Sequence, residues 1–137
     1  MDINKADENN ETPLMYACMK GNEKIVKYLV ERGAIINKEN EFSETPLMYA
    51  CMRGNKNIIQ YLIERGANIN QENYDGETPL LLACKNGNID IVKYLIKKGA
   101  DIDIEDHAGE TPLDHAYNKN NKEIYNYLRN LTHNNII

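Results

Sequence analysis

Three residue types in this chain are able to do covalent or metal chemistry: the cysteines Cys18, Cys51 and Cys84, the histidines His107, His115 and His133, and the lone serine, Ser43. A cysteine or serine nucleophile needs an oriented histidine within hydrogen-bond reach. Here every histidine falls near the far end of the chain, and Ser43 lies in a polar, turn-forming stretch, so no triad can be assembled from the pattern. Tetrahedral zinc sites use cysteines or histidines paired a few residues apart, whereas these cysteines are 33 residues apart. His107, His115 and His133, with Asp106 and Asp114, are irregularly spaced and read as surface residues. Neither a GxGxxG segment nor a phosphate-binding loop occurs. The expectation is a chain with no catalytic residues, no metal site and no cofactor.

The cysteine spacing has another source, which is the element that carries each of them. Thr-Pro-Leu begins at Thr12, Thr45, Thr78 and Thr111, always 33 residues apart, and uses all 4 prolines of the chain. A fixed period of this length marks a stacked repeat architecture. The units starting at Thr12 and Thr45 share about two thirds of their positions, as expected of one duplicated module. The division is 1–11 as a partial first finger, 12–44, 45–77 and 78–110 as repeats, and 111–137 as a polar terminal cap. With 137 residues, 42% of them hydrophobic, the chain suits a single domain.

Local rules predict the same structure in each unit. Thr12 can accept from the free amides of a helix start, and Pro13 suits the first turn, where its missing N–H costs nothing. Gly21, Gly54 and Gly87 end that helix, with Asn120 as the left-handed substitute in the last unit. Asn22, Asn55, Asn88 and Asn121 cap a second helix, along which Ile25, Val26, Leu29 and Val30 form an apolar stripe that a neighbour must bury. Tyr28, Tyr61, Tyr94 and Tyr127 stand beside the stripe and are assigned to packing between repeats. The second helix closes at Gly33, Gly66 or Gly99. A polar stretch follows, with turn signals at Asn40, Ser43, Asp75-Gly76 and Ala108-Gly109. Cys18, Cys51 and Cys84 lie beside Ala17, Ala50 and Ala83 on the first helix and read as buried, unreactive thiols.

These residues resemble the ankyrin repeat family, whose TPLHxA, interhelix glycine, IVxxLL and GAxxN segments all have counterparts over essentially the full chain. The resemblance implies an all-α solenoid of stacked helix-turn-helix pairs with short β-hairpin fingers. It departs from the family where Met15, Met48, Leu81 and Asp114 replace the histidine after Thr-Pro-Leu. Apolar packing is expected to substitute there in the first three repeats.

In that family partners usually meet the finger tips and the concave side of the first helices, so the resemblance implies a non-catalytic protein-binding scaffold. The matching residues are Glu11, Met19, Glu41, Phe42, Glu44, Met52, Arg53, Tyr74, Asp75, Glu77, Lys85, His107 and Glu110. Phe42, Tyr74 and Met52 are the expected anchors, with Glu41, Glu44 and Glu77 as an acidic rim. The net charge of −5 favours a neutral to basic protein partner and disfavours nucleic acid. No run approaches the roughly 20 apolar residues that cross a bilayer, and the polar, acidic start lacks the basic-then-apolar order of an export signal. A cytoplasmic or other reducing compartment is expected. A monomer is expected too, with weak self-association through the unshielded first repeat, or membership of a larger ankyrin array, as the alternative.

Overall fold

A computed structural model describes residues 2–134, except for the side chains of His133 and Asn134, so a role for His133 lies outside what is described. Four helix pairs follow one another: α1 (Pro13–Lys20) with α2 (Glu23–Glu31), α3 (Pro46–Arg53) with α4 (Lys56–Glu64), α5 (Pro79–Asn86) with α6 (Ile89–Lys97), and α7 (Pro112–Asn118) with α8 (Lys122–Asn134). The first helices stack on one another, as do the second helices, giving two layers with the core between them.

The starts and stops obey the local chemistry. The Thr12 hydroxyl accepts the Met15 amide at 3.3 Å, and Asn22 Oδ1 accepts the Ile25 amide at 3.1 Å. Arg32 ends α2, and Gly33 follows at φ 98°, where an L side chain would be strained. The Gly33 amide returns to Val30 O and the Ala34 amide to Leu29 O, the paired bonds of a Schellman stop. Thr132 occupies the equivalent place in the last repeat. With no glycine there, α8 runs 13 residues where α2 runs 9, and the Thr132 hydroxyl donates to Leu128 O at 3.0 Å. Asn120, at φ 56°, adopts the left-handed turn expected of it.

Met15, Met48 and Leu81 are each 0% exposed, so apolar packing does fill the place of the family's histidine. Asp114 instead closes a capping box, its carboxylate accepting the Thr111 amide at 2.9 Å. Cys18, Cys51 and Cys84 are all buried, and desolvation raises their thiol pKa values, to about 12 at Cys18 and Cys84. The tyrosine series is split. Tyr61, Tyr94 and Tyr127 are half-buried against the core, and Lys27 lies over the Tyr61 ring and Lys93 over Tyr127, whereas Tyr28 is exposed under its own Arg32.

Expected hairpin strands are not formed: no strand occurs among the described residues. The reason lies in the Asp or Asn that opens each finger, whose side chain takes up the amides a β-ladder would have used.

Candidate functional site

Each finger is built on one such residue: Asp7, Asn40, Asn73 and Asp106. Asn40 Oδ1 accepts the amides of Phe42 and Glu44, both at 2.9 Å, and the Asn40 amide donates to Glu44 O at 3.0 Å. The same three bonds recur in the other fingers. Each tip is thus an Asx turn, fixed by side-chain bonds two and four residues on and closed by a backbone bond. Successive tips are joined. Glu41 N donates to Asn9 O at 3.2 Å, Tyr74 N to Phe42 O at 2.9 Å, and His107 N to Asp75 O at 2.9 Å.

First-helix side chains tie the fingers down. The Tyr16 hydroxyl donates to Asp7 Oδ2 at 2.5 Å. One repeat on, the Tyr49 hydroxyl lies 2.8 Å from Glu11 Oε1 and 3.0 Å from Glu44 Oε1 and accepts from Asn40 Nδ2 at 2.9 Å. Burial, then these two carboxylates, push the Tyr49 phenol well above its ordinary pKa, so it stays a donor. In the third repeat Leu82 takes the tyrosine's place, and Glu77 is held instead by Lys85 and by Asn73 Nδ2. In the fourth, His115 Nε2 lies 2.8 Å from Asp106 Oδ2.

A second set of bonds, in the loops that follow the second helices, clamps repeat to repeat. Asn4 Nδ2 donates to Gly33 O at 3.1 Å and Asn4 Oδ1 accepts the Ile35 amide at 2.8 Å. Asn37 does the same to Gly66 and Asn68, and Asn70 to Gly99 and Asp101. Their 33-residue spacing is visible in the sequence, but an asparagine in a polar stretch offers no hint of its partner.

The expected contact residues separate into two groups. Met19, Glu41, Phe42, Met52, Arg53, Tyr74, Asp75, Lys85 and His107 are exposed on the tips or first helices. Phe42 is 54% and Tyr74 73% exposed, and the tip-to-tip bond makes them neighbours. Glu11, Glu44 and Glu110 are half-buried and Glu77 is buried, so the acidic rim expected at Glu44 and Glu77 is not free. These carboxylates serve the finger roots, and the exposed acids at the tips include Glu8, Glu41 and Asp75. For Glu77, burial would raise the pKa, but the bonds from Lys85 and Asn73 outweigh it and hold the carboxyl below its ordinary value. Tyr16, beside Met19 and 43% exposed, adds an aromatic surface outside the expected set. His115, expected at the surface, is in fact buried, with Asp106 and Glu110 gathered around it.

Between the third finger and the first helices lies a shallow hollow of about 340 Å³ lined by Met52, Glu77, Leu82, Lys85 and Asn86. No helix among the described residues is long and apolar enough to cross a membrane. A family model described as Ankyrin repeats (3 copies) matches residues 1–73 and 70–136. No curated protein matches the chain significantly.

Proposed function

The chain belongs to the ankyrin repeat family, and from that premise we propose that it is a non-catalytic scaffold that binds a neutral to basic protein through its finger tips and the concave side of its first helices. The family's modules are protein-interaction modules in general. The reading rests on Phe42 and Tyr74: two aromatic residues more than half exposed, on adjacent turns that a backbone hydrogen bond joins and side-chain hydrogen bonds have already fixed. Large apolar side chains left in water amid charge are the usual composition of a binding hot spot. A ridge rigid before binding loses little conformational entropy on binding. Met19 and Met52 extend the apolar part along the first helices, and Glu8, Glu41 and Asp75 supply the field that draws a basic partner.

The test is a partner recovered with the intact chain, then its affinity for Phe42→Ala and Tyr74→Ala beside the melting curves of both variants. Affinity should fall by about 2 kcal/mol or more per anchor, with the fold intact. Unchanged affinity in both variants removes this face from consideration.

A second reading is supported by a different observation. Ile25 is 47% exposed, whereas its equivalents Ile58, Ile91 and Ile124 are 1%, 0% and 0% exposed. The first helix pair thus keeps the surface of an interior repeat, suited to assembly. Sedimentation of the intact chain beside Ile25→Glu separates the two readings, because only assembly through this face would weaken in the variant.

A further inference from the structure

The histidine at the root of the fourth finger is buried between two carboxylates. Its Nε2 lies 2.8 Å from Asp106 Oδ2 and its Nδ1 3.5 Å from Glu110 Oε2. A neutral imidazole has one donor and one acceptor nitrogen, and ionised carboxylates only accept. With Nε2–H given to Asp106, a neutral ring keeps its Nδ1 lone pair on the Glu110 side. The remaining oxygens are already assigned: Asp106 Oδ1 takes the Ala108 and Glu110 amides, and Glu110 Oε1 takes Asn118 Nδ2 at 3.2 Å. Lys85 is committed to Glu77. A cation at Nδ1, a second ring proton or a metal ion, joins it to Glu110.

We propose that His115 Nδ1 and Glu110 Oε2 bind a divalent ion of the zinc class, with Asp106 as the positioning residue that fixes the imidazole through Nε2–H. A ligand histidine that donates its other ring N–H to a carboxylate is the common outer arrangement of zinc sites. An ion held at 2.0–2.2 Å by nitrogen and oxygen in tetrahedral geometry keeps two ligand atoms about 3.4 Å apart, close to the 3.5 Å found here. The imidazole selects zinc, copper, nickel or cobalt over magnesium or calcium, which want oxygen ligands. Donor atoms of Asp106, Glu110 and His115 all lie within 4.8 Å of one another, and Glu110, with its side chain 39% exposed, leaves the site open to water for the remaining coordination positions.

The repeat supplies the control. Asp7, Glu11 and Tyr16 occupy the same frame in the first repeat, and the Tyr16 hydroxyl reaches the same oxygen of its aspartate that His115 reaches of its own. His115→Tyr therefore keeps the latch between finger and helix while deleting the ligand nitrogen.

The experiment is titration of zinc chloride into the intact chain by calorimetry, with melting curves at saturating zinc, on the parent, His115→Tyr and Glu110→Gln. One saturable site and a rise in melting temperature of several degrees are expected for the parent. Both variants should bind at least about tenfold more weakly. Nitrogen NMR of the His115 ring should show Nε2 protonated and Nδ1 without a proton in the presence of zinc. The proposal is overturned if the parent shows no saturable binding, if both variants bind zinc as the parent does, or if both ring nitrogens carry protons at neutral pH with zinc present. The last outcome would make a second proton the cation that bridges the carboxylates.

Discussion

The two ends of the array are built from the same 33-residue frame and finish it differently. At the first end, α2 presents Ile25 and Tyr28 to solvent, 47% and 53% exposed, with the composition of an interior repeat unchanged. At the last end, the positions held by Val26, Ile59 and Val92 become Tyr125, and those held by Val30, Ile63 and Ile96 become Arg129. Tyr125 packs on Tyr117, with ring centroids 5.8 Å apart, and Arg129 is exposed. A repeat with an apolar outer face is insoluble in its own right, so an array needs polar replacements where stacking stops. The chain carries those replacements on one face only. Burial at a given repeat position is consequently set by the neighbour and not by the residue.

The largest difference should come from one substitution made at equivalent positions. Ile58→Ala should cost about 2–5 kcal/mol, because a buried side chain leaves a cavity that the two flanking repeats close only in part. Ile25→Ala should cost less than about 1 kcal/mol, since half of that side chain already meets water. Denaturant unfolding of both variants measures the pair. Equal losses would mean that something covers Ile25 in solution.

Next in size come the loop clamps. Asn37→Ala removes the bonds to Gly66 O and from the Asn68 amide, at 3.1 Å and 2.8 Å. It should cost about 1–2 kcal/mol, at roughly 1 kcal/mol per net bond. Asp103 holds the same position facing the last repeat, where the Gly-Ala loop is missing, and its own amide turns back to Asp101. Asp103→Ala should therefore change stability by less than about 0.5 kcal/mol. Comparable losses in the two variants would show that the clamp contributes nothing to stacking.

How much of this is legible in the sequence depends on whether the deciding interaction is local. Thr12-Pro13, Asn22 and Gly33 act within one turn of themselves, and their helices begin and end where those residues require. The fingers are harder, because Asn40 and Asp106 advertise a turn equally well whether strands flank it or not. Here the side-chain oxygen captures the amides, and no ladder forms. Glu44 and Glu77 look like rim charges because a carboxylate in a polar loop is usually solvated, and only the folded chain brings Tyr49 or Lys85 to them. His115 is hidden by the irregular spacing of the histidines among themselves. Set against Tyr16 and Tyr49 in the repeat frame, its place at the finger root is plain.

Acid titration probes the middle of the array through Glu77. Its carboxyl is held below its ordinary pKa in the folded state, so the unfolded chain takes up the proton first as pH falls. The stabilisation is present above the unfolded value of about 4.3 and disappears as pH drops through the lower folded value. Glu77→Gln should lower stability most at neutral pH, where the ionised carboxylate contributes, and least in acid, so that this part of the profile flattens. An unchanged acid limb in the variant would show that the Lys85 and Asn73 bonds do not outweigh burial.

The smallest effect expected is a difference in rate between buried thiols. Cys18 and Cys51 are both 0% exposed, and desolvation raises the pKa of each, so neither should react with a thiol reagent from the closed state. Labelling must then wait for local opening, and its rate follows the opening free energy. In a linear array that free energy sums the stability of the repeat and its contacts with neighbours. Cys51 sits on α3, packed between α1 and α5, whereas Cys18 sits on α1, which has only α3 beside it among the first helices. Opening the first repeat breaks one interface and opening the second breaks two. Cys18 should therefore label faster than Cys51 at neutral pH, though both remain slow beside the unfolded chain, and mass spectrometry of partly labelled protein reads the order directly. Equal rates would mean that the whole array opens in one step, and the contrast between the ends would then be one of surface alone. Faster labelling of Cys51 would contradict the nearest-neighbour account itself.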